Sequence, residues 1–206
     1  MSPAGVPDAL PFTLVQRRGA MLVTQRSFRF RCVCGQMHTG SPNYGFTAPD
    51  AFVGQPPQVK AAAAYSRDFC AYVDTQGQRF YFARALLRVP IQLSDDPFMW
   101  GLWVQLGLED YRQYLDAYER SDADFCLTAW IRNNLPVYPP TDGMPVQLLP
   151  QAGRQLATVR IPRNDHRLAL DFNEGIAPAR AARIAATFCL AGVKGPAPAE
   201  GTPIPL

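Results

Sequence analysis

Residues 69–106 carry the pattern that most restricts how this chain can fold. Phe69-Cys-Ala-Tyr-Val-Asp74 reads as a strand, Thr75-Gln76-Gly77-Gln78 as a turn, and Arg79-Phe-Tyr-Phe-Ala-Arg-Ala-Leu-Leu-Arg-Val89 as the returning strand. Two runs of β-forming residues joined by a short, glycine-bearing turn make a β-hairpin, and Pro90 closes it because proline has no N–H to give a ladder. A further apolar run follows, Pro97-Phe-Met-Trp-Gly-Leu-Trp-Val-Gln-Leu106. With a period of two, Phe98, Trp100, Leu102 and Val104 share one face, and Met99, Trp103 and Gln105 the other. Gly101 in mid-strand predicts a bulge or a close approach by the facing chain.

Around this centre the same reading places further elements. Arg26-Ser-Phe-Arg-Phe-Arg-Cys32 alternates basic and aromatic residues, a strand with Phe28, Phe30 and Cys32 on one face and Arg29 and Arg31 on the other. Residues 40–57, with three glycines and four prolines, read as a long loop. Leu108, Tyr111, Leu115 and Tyr118 recur at helical spacing and predict a helix from Leu108 to about Glu119. Residues 124–131, 144–149 and 155–161 read as strands, with a turn at Asn133-Asn134 and a proline-fixed corner at Val137–Gly143. A last helix spans 178–191, with Pro178 at its start and Gly192 at its end. The expected fold is α+β, with a mostly antiparallel sheet and two main helices in one domain over residues 26–193. Residues 1–25 read as a partly ordered arm and residues 194–206 as a proline-rich tail.

Composition bounds the function classes. The chain has 206 residues and 48% apolar content, enough for a sizeable core, and no run of eighteen apolar residues. Its five cysteines, at 32, 34, 70, 126 and 189, are an odd and sparse set, which favours a reducing cytoplasm over a disulfide framework. The net charge of +3 is modest, which disfavours nucleic acid as a partner through Arg17, Arg18, Arg29 and Arg31. Residues 68–124 hold five basic and ten acidic side chains, a middle stretch able to draw a basic protein.

Several pieces recur in a fixed order: Cys-Val-Cys34-Gly35-Gln-Met-His38, Arg67-Asp68-Phe-Cys70, Arg79-Phe-Tyr-Phe-Ala-Arg84 and Phe98-Met-Trp100-Gly101-Leu-Trp103. Leu135-Pro-Val-Tyr138-Pro139-Pro-Thr141, Asp165-His166-Arg-Leu168 and Gly175-Ile176 follow. Over roughly residues 28–190 the chain resembles the uncharacterised bacterial family known as domain of unknown function 2199. That resemblance supports the fold and implies no established activity. It also implies a Cys-x-x-Cys-Gly-x-x-His piece, in which Arg31 stands where the first cysteine belongs.

The candidate metal ligands are Cys32, Cys34, His38 and Cys70, with His166 far off in sequence. Cys70 would join the set if its strand paired beside residues 26–32. A structural zinc takes four thiolate or imidazole ligands in a tetrahedron. Cys32-Val33-Cys34 is one residue shorter than the usual knuckle, so no stoichiometric zinc and no other cofactor is expected. Catalysis would need a histidine beside a cysteine nucleophile, and Cys34 with His38 is the one local pair. The Asp165-His166 pair reads as a hydrogen-bonded structural histidine. The favoured reading is therefore a cytoplasmic, non-catalytic protein that binds another macromolecule, in one form an immunity protein that neutralises a toxin. A small metal- or thiol-dependent enzyme centred on Cys34 and His38 is the alternative. The candidate partner-binding residues are Trp103, expected to be partly exposed, Glu109, Asp110 and Asp116 on the first helix, and Arg180 and Arg183 on the last. The two arginines lie in the first turns of their helix, where a cation opposes the dipole. Asp171 or Glu174 nearby is favoured to meet them, with a partner as the other possibility.

Overall fold

A computed structural model describes residues 26–31, 35–120 and 124–189. The N-terminal arm, the proline-rich tail and the pair Cys32 and Cys34 lie outside the described residues. In chain order the elements begin with β1 (Arg29–Arg31), β2 (Met37–Thr39), β3 (Asn43–Gly45), α1 (Asp50–Val53), α2 (Pro57–Ala62), β4 (Ala64–Tyr65) and β5 (Phe69–Val73). They continue with β6 (Arg79–Val89), β7 (Phe98–Leu106), α3 (Leu108–Arg120), β8 (Leu127–Ile131), β9 (Pro145–Gln151), β10 (Gln155–Arg160), α4 (Arg167–Glu174) and α5 (Pro178–Cys189).

The centre is a closed five-stranded barrel. Strands β6 to β10 pair in succession as an antiparallel meander, and β10 then pairs with β6. Successive strands reverse direction, so the fifth runs the same way as the first. The closing pair is therefore parallel, with Ala157 opposite Ala85 and Thr158 opposite Leu86. A five-stranded barrel has a narrow bore. Its interior suits that size, because Ala83, Ala85, Ala129 and Ala157 alternate with larger inward residues such as Leu87, Leu102 and Leu148.

Helices stop the barrel. Tyr114 of α3 is buried, and its hydroxyl accepts a hydrogen bond from the Ala157 N–H at 3.2 Å. The register of β10 slips between Gln155 and Thr158, where such a bulge frees an N–H for a side chain. Leu168 and Ala169 of α4 and Ala181, Ile184 and Ala185 of α5 join the same core. The buried face of α3 is Tyr111, Tyr114 and Ala117, while Leu108 is 36% exposed. The helix is thus turned slightly from the Leu108–Leu115 stripe that its spacing predicts.

Both long strands extend past the barrel. The first half of β6 pairs with β5, and β5 with β4, both antiparallel. The first half of β7 pairs in parallel with β3. Segment 46–63 folds over the outer face of this extension and makes a second cluster with Phe52, Val59, Cys70, Tyr72, Phe82 and Trp103. The expected long loop over residues 40–57 is in fact β3, α1 and the approach to α2. Five helices, rather than two main ones, occur among the described residues, α3 and α5 being the two foreseen.

Gly101 confirms a close approach. It pairs with Gly45, and a Cβ built on Gly101 would lie 3.4 Å from the Gly45 Cα. The ribbon of β1 and β2 is separate from the large sheet, with Phe28 and Phe30 buried in the barrel core.

At the proline-fixed corner, Val137 adopts φ 69° with its side chain half exposed. A β-branched residue is strained in the left-handed region by about 1–3 kcal/mol. Glycine there relieves the strain and loses little packing. Val137→Gly is expected to stabilise the protein by about 1 kcal/mol, part of the relief being offset by glycine's chain entropy. Thermal denaturation checks this, and a lower melting temperature would contradict it.

Candidate functional site

Cys70 does not stand beside β1, the pairing that would have joined it to the other candidate metal ligands. Its strand neighbours are β4 and β6. Cys70 is fully buried among aromatic side chains, and that burial pushes its thiol pKa up to about 12. A zinc ligand must be a thiolate, so this burial opposes the role. His38 stands on β2 and stacks on Phe30 with ring centroids 5.3 Å apart. Among the described residues no three His, Cys, Asp or Glu side chains gather as a metal site. His166 caps α4, its Nδ1 accepting the Leu168 N–H at 3.1 Å. Asp165 is exposed beside it, and the ring's Nε2 is buried without a hydrogen-bond partner among the described residues.

Trp103 is not partly exposed. It is 0% exposed, its indole N–H donates to the Phe46 carbonyl at 3.1 Å, and Tyr65 stacks on it. The expectation of partial exposure fails because segment 46–63 covers the outer face of β7. The Trp103 backbone N–H donates to Oδ1 of Asn133, which is also fully buried. Asn133 Nδ2 donates in turn to the Ala48 carbonyl at 3.0 Å and to Asp50 Oδ1 at 2.8 Å. A pair that reads in sequence as a simple turn thus clamps the covering segment to the barrel.

The acidic residues of α3 are arranged along its exposed side. Glu109 pairs with Arg112 at 3.1 Å and Asp116 with Arg120 at 3.0 Å, while Asp110 is half-buried in the first turn. Surface pairs of this kind contribute little stability. On α5, Arg180 meets Asp171 as an internal ion pair, and Arg183 stays exposed. Asp171 is 1% exposed and also accepts from Arg167 Nη2 at 2.7 Å and from the Tyr138 hydroxyl at 3.0 Å. The Arg180 guanidinium lies 5.1 Å from the Tyr138 ring centroid. This network ties α4, α5 and the proline corner together. Arg29 and Arg31 are exposed on β1, whereas Arg17 and Arg18 lie outside the described residues.

An apolar concavity lies between α3 and the extension of the sheet. It has a volume of about 340 Å³. Ala71 and Val73 of β5 and Tyr81 of β6 share the sheet face toward α3, from which Leu108, Tyr111 and Leu115 line it, while Ala62 and Ala64 line the sheet edge. Val73 is 48% exposed and Leu108 36% exposed, so the lining is apolar and open to solvent. Small alanines on the sheet and at its edge leave the space. The lining falls between Ala62 and Leu115, but only the fold sets α3 against the sheet, which is why no motif marks it.

The sequence pattern of a family described as uncharacterised proteins conserved in bacteria, domain of unknown function 2199, matches residues 31–176. The chain belongs to that family. In this member of domain of unknown function 2199, the matched stretch takes in the whole barrel, the groove and Asp171, and it ends at Ile176, before α5. Arg180 is therefore outside the match although its ion-pair partner is inside it. No curated protein and no solved structure matches the chain. No helix among the described residues is long and apolar enough to cross a membrane.

Proposed function

We propose that this protein works by binding another macromolecule without catalysing a reaction, and that the groove beside α3 receives the partner. The observation that carries this reading is the groove itself, with Val73 and Leu108 left open at its lining. Exposed apolar concavities of a few hundred cubic ångströms take side chains or small ligands, whereas scattered surface apolar residues do not. The wider surroundings agree, because Cys70 is sealed in the core and His166 is committed to a helix cap. The specific form we favour is a cytoplasmic immunity protein that neutralises a toxin by covering its active site.

The test is neutralisation of the product of a neighbouring toxin gene on co-expression. Leu108→Glu places a charge in the groove and is expected to weaken the complex about tenfold or more, the worth of one buried apolar side chain. Leu93→Glu, at a residue 80% exposed on another loop, is the control and should leave binding unchanged. Neutralisation that survives Leu108→Glu, or no neutralisation by the unaltered protein, would count against the reading.

A further inference from the structure

The charged side chains lining the groove are both arginines. Arg79 stands on β6 opposite Val73 of β5, and Arg112 stands on the α3 wall. Arg112 shares its charge with Glu109, which is 82% exposed. Arg79 is exposed and has no ion-pair partner among the described residues. Asp74, one residue beyond Val73, is committed to the hairpin turn, its Oδ1 accepting the N–H groups of Gln76 and Gln78. Tyr111, 3% exposed, brings a hydroxyl that is buried and without a hydrogen-bond partner. Glu109 compensates Arg112 at the rim, which leaves Arg79 as the uncompensated charge of the groove among the described residues. Apolar walls around a charge of one sign concentrate its field.

We propose that the partner segment seated in this groove is acidic, an extended peptide in which an apolar side chain fills the space over Ala71 and Tyr81 while an adjacent carboxylate meets Arg79. This deepens the groove reading above and rests on it. Arg79 presents a planar fork of donors suited to a carboxylate, and no acid among the described residues occupies it. A basic segment, which the acid-rich middle of the sequence would suggest, meets the like charge of Arg79 here. The specificity comes as much from that repulsion as from the new pair.

Calorimetric titration with two end-blocked heptapeptides tests the proposal, one alternating leucine with glutamate and the other leucine with lysine. The glutamate peptide is expected to bind at least tenfold tighter at low salt, with the gap narrowing as salt screens the charges. Arg79→Glu, a surface change, should abolish or invert that preference, and Arg79→Gln should reduce it. Leu108→Glu should weaken whichever peptide binds. Equal binding of both peptides, or tighter binding of the lysine peptide, would overturn the acidic assignment while leaving the groove as a site, provided that Leu108→Glu weakens it. Failure of both peptides to bind would overturn the assignment and the groove reading together.

Discussion

Replacing Asp171 with alanine is expected to cost about 3–5 kcal/mol of unfolding free energy, the range for removing one partner of a buried ion pair. The carboxylate is 1% exposed and accepts from three groups, Arg180, Arg167 and the Tyr138 hydroxyl. Without it, the Arg180 side chain, 21% exposed, keeps its charge and loses its counter-ion. The Tyr138 hydroxyl loses its acceptor at the same time. The partners should rank by burial. Arg167 is 51% exposed, so Arg167→Ala should cost less than about 1 kcal/mol. Tyr138→Phe should cost about 1 kcal/mol, the net worth of an ordinary hydrogen bond. Urea denaturation reads these as falls in midpoint at unchanged slope. An Asp171→Ala loss no larger than that of Arg167→Ala would show that the network does not hold α4, α5 and the proline corner as a unit. The expected loss is a large part of a domain's usual 5–15 kcal/mol or so, so residual folding of this variant should depend on temperature.

That carboxylate is half legible in the sequence. Arg180, a cation near the start of a helix, implied a nearby anion, and Asp171 was one of two candidates. What the sequence could not show is that Asp171 is buried, since an acid on an amphipathic helix ordinarily faces solvent. The residues from Phe69 to Leu106 were legible for a stronger reason. Their alternation is strict enough to assign Trp100 and Trp103 to opposite faces, and the structure puts Trp100 in the barrel core and Trp103 in the outer cluster. The error about Trp103 was one of coverage. The segment that buries it is built from helices of four and six residues set among prolines. Elements that short carry no helical period and read as loop.

Barrel closure left almost no trace, because Ala85 and Ala157 meet through backbone hydrogen bonds that any residues can make. The small inward residues at 83, 85, 129 and 157 are its only mark, and they do not declare it alone. The eight residues of α4 were missed for a related reason, since their cap is His166 rather than one of the usual short polar residues. The groove followed the same rule. Arg79, Leu108 and Ala62 come from three elements, and only the fold makes them neighbours.

Raising the pH above about 9 is expected to destabilise this protein steeply, with unfolding near pH 11. Burial pushes the Cys70 thiol from its ordinary value of 9.0 up to about 12, and the Tyr114 phenol from 10.0 up to about 12. Burial also pushes Tyr111 upward, with the nearby Cys70 and Tyr81 adding to the shift. In each case the folded state holds its proton more tightly than the unfolded chain does. The associated stability is complete below the unfolded values and is lost as pH rises toward the folded ones. At one unit of pH per about 1.4 kcal/mol, the thiol alone costs about 3 kcal/mol at pH 11, and each of the two tyrosines about 1 kcal/mol. Together these approach the whole stability of an ordinary domain. Between pH 9 and 10 the thiol is the largest single contributor to the slope, with Tyr138, likewise raised by burial, adding to the two tyrosines. Cys70→Ala, which costs something at neutral pH for the lost contacts, should therefore flatten the stability profile in that interval. Tyrosinate absorbance from Tyr111 and Tyr114 should appear together with unfolding rather than ahead of it. Stability that stays level from pH 8 to 11, or a Cys70→Ala profile parallel to that of the unaltered protein, would show that these groups do not govern its alkaline limit.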